Sequence, residues 1–245
     1  MVLHQKTGLR ELALFAGAGG GILGGLLLGW KTVAAVEIEE YPRAVLLQRQ
    51  LDGILPPFPV WDDIRTFDGR PWRDEVDIIT GGFPCQDISA AGKGAGLSGE
   101  RSGLWYHMAR IISEVGPRHV LVENSPALLK RGIGTVLRDL ASVGYDAQWG
   151  VLGARACGGP IQRKRLWIAC THKEHGQKGL GDIPDRPSAI QQRITGECPE
   201  FWLQAPPVSF GMEHGMDSYV DQVGAIGNGQ VPAVVKLAWE TLSKF

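Results

Sequence analysis

The chain lacks the sequence features of a secreted or membrane protein. Its four cysteines, at 85, 157, 170 and 198, show no close pairing and no C-x-x-C motif, which favours free thiols in a reducing, cytoplasmic setting. The amino terminus has no apolar signal-peptide core. No uncharged apolar run approaches the ~18 residues of a membrane span. We therefore expect a cytoplasmic protein with no membrane partner.

A strong net charge is also missing. The formal net charge is −1, so no general basicity indicates nucleic acid. Acids outnumber Lys and Arg between 37 and 87, and the reverse holds between 101 and 178. Such asymmetry marks either a polyanion-binding face or an ordinary solvated surface. We predict no metal site, because no common zinc spacing is matched by Cys170, His172, His175 and Cys198.

Glycine, by contrast, is abundant and clustered. It supplies 34 of the 245 residues, about twice its average usage, and it gathers at 17–29, 81–103 and 224–229. Glycine clusters at strand ends usually mean tight turns or a backbone that approaches a ligand. The clusters therefore direct attention to the ends of the predicted strands.

Strand-like and helix-like segments alternate over the first two thirds of the chain. This alternation predicts an α/β fold with a parallel sheet and helices on both faces. The pattern is lost from His172 to about Met216 and resumes at Val223. Long irregular stretches of this kind are usually functional or disordered. The strand-like runs are 12–16, 32–36, 76–80, 119–122, 145–152 and 166–170, and the helical patterns are 22–28, 41–51, 104–115, 136–143 and a last helix after 232.

Five residues that could bind a ligand or take part in a reaction follow the carboxyl ends of predicted strands. They are Gly17, Glu37, Asp63, Cys85 and Glu123. In open α/β sheets, ligands bind at this edge. We therefore expect these residues to share one site.

The first glycine cluster has the setting of a nucleotide-binding turn, because it follows a strand and opens a helix. Glu37, about 20 residues further on, can bind two ribose hydroxyls, and Asp63 can accept a hydrogen bond from an adenine amino group. The turn has no phosphate-cradling Gly-x-x-x-x-Gly-Lys-Ser/Thr pattern. The implied ligand contains adenine and ribose: S-adenosylmethionine fits this description, and NAD remains possible.

Cys85 lies between the apolar run 76–80 and the glycine-rich stretch 86–100. A lone cysteine is usually a small core residue. A thiol between a buried strand and a glycine loop is instead well placed to act as a nucleophile.

Five motifs, in this order, resemble the DNA cytosine-5 methyltransferase family. The resemblance covers about residues 10–171 and 223–244. It implies a Rossmann-like, S-adenosyl-L-methionine-dependent methyltransferase sheet, with a catalytic and cofactor-binding domain of residues 1–171 and 223–245. It also implies a small irregular target-recognition region at 172–222. The motifs are Phe-x-Gly-x-Gly-Gly (15–20), Gly-Phe-Pro-Cys-Gln (82–86), Glu-Asn (123–124), Gln-Arg-Lys-Arg (162–165) and Gly-Asn-Gly-Gln-Val-Pro (227–232).

The resemblance assigns four catalytic residues. Cys85 would add to C6 of a flipped cytosine, and Glu123 would neutralise the charge that builds on the ring, through a proton at N3. Arg165 would contact the flipped base or a neighbouring phosphate, and Arg163 would support the same polar network. The implied partner is double-stranded DNA, which a monomer would bind inside a bacterial or phage-infected cell.

The resemblance also implies cofactor and DNA contacts. In the cofactor site, Glu37 would bind the ribose and Asp63 the adenine amino group. Glycines 92, 94, 96 and 99 would let the loop 86–100 close over the flipped base. The other cofactor residues are Phe15, Ala16, Gly17, Gly19, Gly20, Ile38, Ile64, Pro84, Leu104, Asn228 and Gly229. The predicted DNA contacts are Gln86, Ser89, Lys93 and Arg101, with Arg186, Gln191, Gln192 and Arg193 as base readers.

Three other functions stay open at this stage. An RNA cytosine-5 methyltransferase would use the same site, and the short recognition region permits it. A non-catalytic DNA-binding relative is disfavoured because Cys85 and Glu123 are both present. A nicotinamide-dependent dehydrogenase leaves the sequence Pro-Cys-Gln at 84–86 unexplained. The chain departs from the family pattern at Ile38, where an aromatic residue is frequent, and at Ser125, where Val is common.

Overall fold

The computed structural model describes residues 8–84, 103–160, 162–174 and 229–244. Predictions that fall on 85–102 or 175–228, Cys85 and most of the target-recognition region among them, lie outside the described residues. In the described residues the strands are β1 (Arg10–Leu14), β2 (Lys31–Val36), β3 (Val60–Trp61), β4 (Ile78–Gly81), β5 (His119–Asn124), β6 (Tyr145–Leu152) and β7 (Arg165–His172). The α-helices there are α1 (Gly20–Leu27), α2 (Glu40–Leu51), α3 (Gly103–Val115), α4 (Leu128–Arg131), α5 (Ile133–Ser142) and α6 (Pro232–Leu242).

The described strands form one sheet in the order β3-β2-β1-β4-β5-β7-β6. The pairs from β3 to β5 are all parallel. β7 is antiparallel to both of its neighbours, β5 and β6. The predicted α/β sheet is therefore confirmed, but it is mixed. An apolar run reads the same in either chain direction, so the reversal of β7 has no signal in the pattern.

Helices cover both faces of the sheet, as predicted. Alternate residues along β1 point to opposite faces, so that Leu12 and Leu14 pack with α3 and α5 whereas Ala13 packs with α1 and α2. The long α3 places its apolar side on the first face with Trp105, Met108, Ile111, Ile112 and Val115. α6 closes the second face over Ile78, Leu121 and Trp167.

α1 and α6 approach each other closely, and glycine makes this possible. A Cβ at Gly24 would lie 2.5 Å from the Cβ of Val235, a distance that two real side chains cannot share. α6 begins at Pro232, which is preorganised for the first helical position. This contact fixes the carboxyl-terminal segment against the glycine turn that follows β1.

Two negative findings concern the described part of the chain. None of its helices is long and apolar enough to cross a membrane. Nor do these residues include a group of three or more His, Cys, Asp or Glu side chains that could hold a metal ion.

A buried carboxyl group joins three strands in the middle of the sheet. Glu11 on β1 is 0% exposed. It accepts hydrogen bonds of 2.7 Å from the hydroxyl groups of Thr32 on β2 and Thr80 on β4. Burial raises the pKa of Glu11, and the two hydroxyl groups only partly oppose this shift. The native protein therefore favours the neutral carboxyl, which can also return one of the hydrogen bonds.

Glu11→Gln is expected to lose less stability than the wild type as pH rises. The unfolded chain ionises Glu11 near about pH 4.3. The native state releases this proton only at higher pH, so wild-type stability falls as pH rises between the unfolded and the folded pKa. Glutamine resembles the neutral acid and does not titrate. The unfolding free energy of Glu11→Gln should therefore increase relative to that of the wild type as pH rises, by at most about 1.4 kcal/mol per pH unit.

Urea unfolding at pH 5 and pH 8 measures this advantage. Glu11→Ala is the control, and it should be destabilised at both pH values because two buried hydroxyl groups lose their partner. An advantage of Glu11→Gln that does not change with pH would show that the native carboxyl is ionised.

Candidate active site

The ends of the parallel strands bring the predicted residues to one edge of the sheet. β1 ends just before Phe15 and β2 ends just before Glu37. The two turns meet, because the Gly17 amide donates a 2.6 Å hydrogen bond to the Glu37 carboxyl. β4 ends three residues before Pro84, and Glu123 is the penultimate residue of β5. This edge is where open α/β sheets bind their ligands.

The turn after β1 has an unusual backbone. Phe15 has a φ of 53° and Gly17 has a φ of 54°. A bulky residue rarely adopts positive φ, and its cost is of order 1–3 kcal/mol. Such strain persists where the surroundings impose it, frequently at functional sites. A side chain added at Gly17 would meet nothing within 4 Å, so this part of the backbone is open to a ligand.

Glu37 is buried, and backbone amides hold it in place. Its Oε2 accepts from Gly17 and its Oε1 accepts a 2.9 Å bond from the amide of Glu39. Burial raises the pKa of Glu37, whereas the two amides and the nearby Arg43 act in the opposite direction. Each carboxyl oxygen keeps a free lone-pair direction. The group can therefore accept hydrogen bonds from two neighbouring hydroxyls.

Asp63 has a partner from its own chain segment. Its carboxylate accepts 2.9 Å hydrogen bonds from Nε of Arg65 and forms a 2.7 Å ion pair with that guanidinium. The pKa of Asp63 is lowered, chiefly by the hydrogen bond from Arg65. Arg65 is exposed, so the pair is open to solvent. The predicted adenine contact would have to share this carboxylate with Arg65.

The hydrophobic residues predicted around adenine have different surroundings. Ile38 is 52% exposed and offers its apolar side chain at the surface beside Glu37. Ile64 is buried in the main core, and Leu104 packs against that core from α3. Pro84 is exposed at the end of the described segment. Ile38 and Pro84 are therefore the exposed members of this set, whereas Ile64 and Leu104 belong to the core.

Gly19 and Gly20 are required by the packing of the protein itself. A Cβ at Gly19 would lie 2.8 Å from Cδ2 of Leu46, and Gly19 has a φ of 86°. A Cβ at Gly20 would lie 2.1 Å from the carbonyl oxygen of Gln230. Both glycines permit contacts with distant parts of the chain. Their place in the cofactor set remains a prediction.

Glu123 is a buried acid with several polar neighbours. Nε of Arg165 lies 2.9 Å from its Oε1, and the side chain of Gln230 also forms a hydrogen bond with the carboxyl group. Burial raises the pKa of Glu123, although Arg165, Arg163 and Gln230 all favour its ionised form. The structure thus contains an acid at the ligand edge that retains its proton towards higher pH than an ordinary glutamate.

Asn124 contacts the segment that leads to Cys85. Its Nδ2 donates a 3.0 Å hydrogen bond to the carbonyl oxygen of Phe83, and its Oδ1 accepts from the amide of Ser125. Asn124 follows Glu123 on β5, and successive side chains on a strand point to opposite faces. Asn124 instead ties the end of β5 to the turn after β4.

Arg163 and Arg165 both approach Glu123, although only one of them belongs to a strand. β7 begins at Arg165, whereas Arg163 precedes it with a φ of 25°. Arg163 donates a hydrogen bond from Nη2 to the carbonyl oxygen of Gly229. The pair therefore links β7, the acid and the carboxyl-terminal segment.

A cleft at this edge joins several of the predicted residues. It is lined by Phe15, Ala16 and Gly17 from the turn after β1, by Glu123, and by Gly229. Thr80, Gly82 and Gln230 also line it, and no role follows for these three from the sequence motifs. Gln230 belongs to a recognised motif, but nothing local marks its side chain. Its partner Glu123 is more than 100 positions away.

The order of the sheet and the acids at its carboxyl edge define a Rossmann-like fold of the methyltransferase type. A solved structure, the Dnmt2 methyltransferase of S. pombe, has the same fold with a TM-score of 0.57 and 20% sequence identity. The alignment covers 72% of this chain and 52% of that one. The likeness concerns the fold alone.

The family follows from the sequence comparison. The model of the C-5 cytosine-specific DNA methylase family matches residues 9–208, and the chain belongs to that family. It is 32% identical to the Type II methyltransferase M.Eco47II of Escherichia coli, over 94% of this chain and 61% of that protein. It is also 32% identical to the Type II methyltransferase M2.BsuMI of Bacillus subtilis, over 89% and 62% of the two chains. The matches thus span less than two thirds of the length of either relative.

Proposed function

We propose that the protein transfers a methyl group from S-adenosylmethionine to C5 of a flipped cytosine in duplex DNA, through a covalent bond between Cys85 and C6. One observation carries the proposal. A buried Glu123, held by Arg165 and Gln230, lies at the same edge as the turn that leads towards Cys85. Membership of the cytosine-specific DNA methylase family supports the choice of base and nucleic acid.

The described residues fit the proposed cofactor. Glu37 can accept hydrogen bonds from both ribose hydroxyls, since each of its oxygens already has one amide donor and one free direction. The open backbone at Gly17 leaves room beside it, and Ile38 offers an exposed apolar side chain for the adenine ring. When bound, S-adenosylmethionine supplies a methyl group on a sulfonium ion, which is open to attack by a carbon nucleophile.

Electrostatics favour this cofactor over NAD. In the part of the cleft that the structure describes, the lining contains no Lys or Arg side chain, whereas Glu123 lies in its wall and Glu37 lies beside it. A pyrophosphate would bring two negative charges to this wall, where Arg165 is already paired with Glu123. A sulfonium ion is positive and is compatible with the same surroundings.

Glu37→Gln is expected to weaken the binding of S-adenosylmethionine by about ten- to hundredfold, because a hydrogen bond to a charged group contributes about 1.5–3 kcal/mol. Isothermal titration calorimetry of the wild type and the variant measures the change. Glu40→Gln, an exposed acid-to-amide change three residues further on, should bind like the wild type. Tight binding of NAD without binding of S-adenosylmethionine would contradict the proposed function.

The reaction needs a nucleophile and an acid on the two sides of the pyrimidine ring. Addition of the Cys85 thiolate to C6 forms the S–C6 bond and moves the C5–C6 electron pair onto C5, where N3 and the ring share it. Glu123 gives or shares its proton at N3 and so limits the negative charge. After C5 has gained the methyl group, a proton leaves C5 for water, the S–C6 bond breaks, N3 returns its proton to Glu123 and the thiolate is recovered.

The base must leave the DNA stack to reach this edge, because C5 and C6 are not accessible to a thiol within the duplex. Arg163 and Arg165 would then meet the base or a neighbouring phosphate, and both already carry positive charge beside Glu123. We propose that the region 172–222 reads the DNA sequence.

Methyl transfer to duplex DNA and to tRNA separates the proposal from its main alternative. With labelled S-adenosylmethionine, we expect incorporation into duplex DNA that contains the recognised cytosine, and background incorporation into tRNA. A plasmid or genomic DNA of mixed sequence is the appropriate substrate, because it contains many possible sites. Transfer to tRNA alone would replace the proposal by RNA cytosine-5 methylation.

A further inference from the structure

Gln230 lies where three glycines leave room for it. It precedes α6 by two residues and lines the cleft. A Cβ at Gly20 would meet its backbone oxygen at 2.1 Å, and a Cβ at Gly21 would meet its Oε1 at 2.6 Å. On the other side, a Cβ at Gly82 would lie 3.3 Å from its Nε2. The start of α1 and the turn after β4 therefore both pack against this one residue.

The polar end of Gln230 is directed at Glu123. Its side chain forms a hydrogen bond with the Glu123 carboxyl group. The same Cβ at Gly82 would lie 2.7 Å from Oε2 of Glu123, so the carboxyl and the carboxamide face one small space above Gly82. The other carboxyl oxygen, Oε1, is paired with Arg165. The acid is thus held from β7 on one side and from the carboxyl-terminal segment on the other.

The segment that carries Gln230 is itself anchored to the fold. Gly229 accepts a hydrogen bond from Arg163, and Val231 packs with the core under α6. α6 rests on α1 at the close approach of Gly24 and Val235. The position of the Gln230 carboxamide therefore depends on how the carboxyl-terminal helix docks against the helix that opens the cofactor turn.

We propose that Gln230 is a positioning residue that holds the Glu123 carboxyl for reaction and couples it to the docking of α6 on α1. This inference rests on the proposed function, in which Glu123 serves the ring nitrogen of the cytosine. Gln230 donates one hydrogen bond and leaves the carboxyl proton for the base. It acts on the reaction only through Glu123.

The chemistry predicts a specific signature. An amide donor stabilises the ionised carboxyl, as do Arg163 and Arg165, the charged groups that face Glu123. Removal of the donor lets Glu123 keep its proton to higher pH. Because the protonated acid is the reactive form, the alkaline limb of the activity profile should move to higher pH. At the same time the plateau rate should fall, because the carboxyl is no longer held in place.

The test compares Gln230→Met, Gln230→Glu and Gln148→Met with the wild type, with kcat and KM for methyl transfer to DNA measured from pH 5.5 to 9.5. Gln148 lies on β6 at the far edge of the sheet and is the matched control. For Gln230→Met we expect kcat to fall by about ten- to hundredfold, with little change in KM for S-adenosylmethionine and an alkaline limb at higher pH. Gln230→Glu keeps the shape of the side chain but places a second acid beside Glu123. The alkaline limb of its activity profile should therefore move to still higher pH.

A merely structural role predicts a different result. In Gln230→Glu the repulsion between the two acids would still move the limb, but the plateau rate would stay at the wild-type value. Gln230→Met would lose activity together with its thermal stability, without a shift of the limb. Either finding would overturn the inference. If Gln230→Met does not fold, the plateau rate of Gln230→Glu decides alone: a fall supports the inference and a wild-type value overturns it. An inactive wild type would refute the proposed function, whereas an active wild type with unshifted variants would refute only the role of Gln230.

Discussion

Replacing Glu123 by glutamine is expected to lower kcat for methyl transfer by about 10²–10⁴-fold, the usual contribution of a positioned acid. Glutamine has nearly the same shape and its oxygen can still accept from Arg165, so the site should keep its geometry. It cannot give a proton to N3 of the cytosine. The negative charge that builds on the ring as the thiolate adds would then stay unneutralised in a buried cleft.

The pH profile gives the same prediction an independent check. Burial raises the pKa of Glu123, so the protonated, reactive form persists to higher pH than in an ordinary glutamate. Wild-type kcat should fall as pH rises through that pKa, and the profile of Glu123→Gln should lack this limb. Steady-state rates with plasmid DNA, measured between pH 5.5 and 9.5, provide both the decrease in kcat and the pH at which wild-type kcat falls.

Glu11→Gln is the matched control for this experiment. It is also a buried glutamate at the same sheet, hydrogen-bonded to Thr32 and Thr80, and it has no part in the proposed reaction. Its kcat should equal that of the wild type. If Glu123→Gln retained wild-type activity over the whole pH range, Glu123 would not be the acid.

Replacing Cys85 by alanine is expected to reduce methyl transfer below detection and to leave the binding of S-adenosylmethionine nearly intact. Without the thiolate, C6 has no partner and C5 stays a poor nucleophile.

Duplex DNA with 5-fluorocytosine at the recognised position should form a stable adduct with the wild type, because the step that removes the C5 proton cannot remove fluorine. Denaturing electrophoresis and peptide mapping should locate the adduct at Cys85.

The described cysteines provide the control for this prediction. Burial raises the pKa of Cys157 to about 11, and its thiol lies 3.4 Å from the carbonyl oxygen of Ala233. Burial raises the pKa of Cys170 still further. Neither thiol forms a reactive thiolate near neutral pH. Cys157→Ala should therefore form the adduct as fast as the wild type, and an adduct that persists in Cys85→Ala would show that the nucleophile is another residue.

Much of the fold can be predicted from local pattern. Continuous apolar strands between amphipathic helices predict the α/β sheet, and parallel strands must bring Gly17, Glu37 and Glu123 to one edge. The hydrogen bond between Gly17 and Glu37 confirms that these two turns meet. The antiparallel course of β7 could not be predicted, because its residues are buried on both faces and lack a directional signal.

The finer structure of the site depends on contacts between distant residues. The glycines after β1 are typical of a ligand-binding turn, yet Gly20 is required by the backbone of Gln230. Asp63 is paired with Arg65, only two residues away. The sequence does not show whether the side chain of such a neighbour turns towards the acid. Asn124 ties the turn after β4 because strand alternation directs it away from Glu123. In each case tertiary packing decides which neighbour a polar group finds.

Bisulfite sequencing of plasmid DNA from cells that express the protein tests the central claim most directly, because it reports the modified base and its sequence context together. We predict that cytosines in one recurring sequence context are protected from conversion in cells with the wild-type protein and are converted in cells with Cys85→Ala. Complete conversion of every cytosine by a wild-type protein that is folded and binds S-adenosylmethionine would contradict the account.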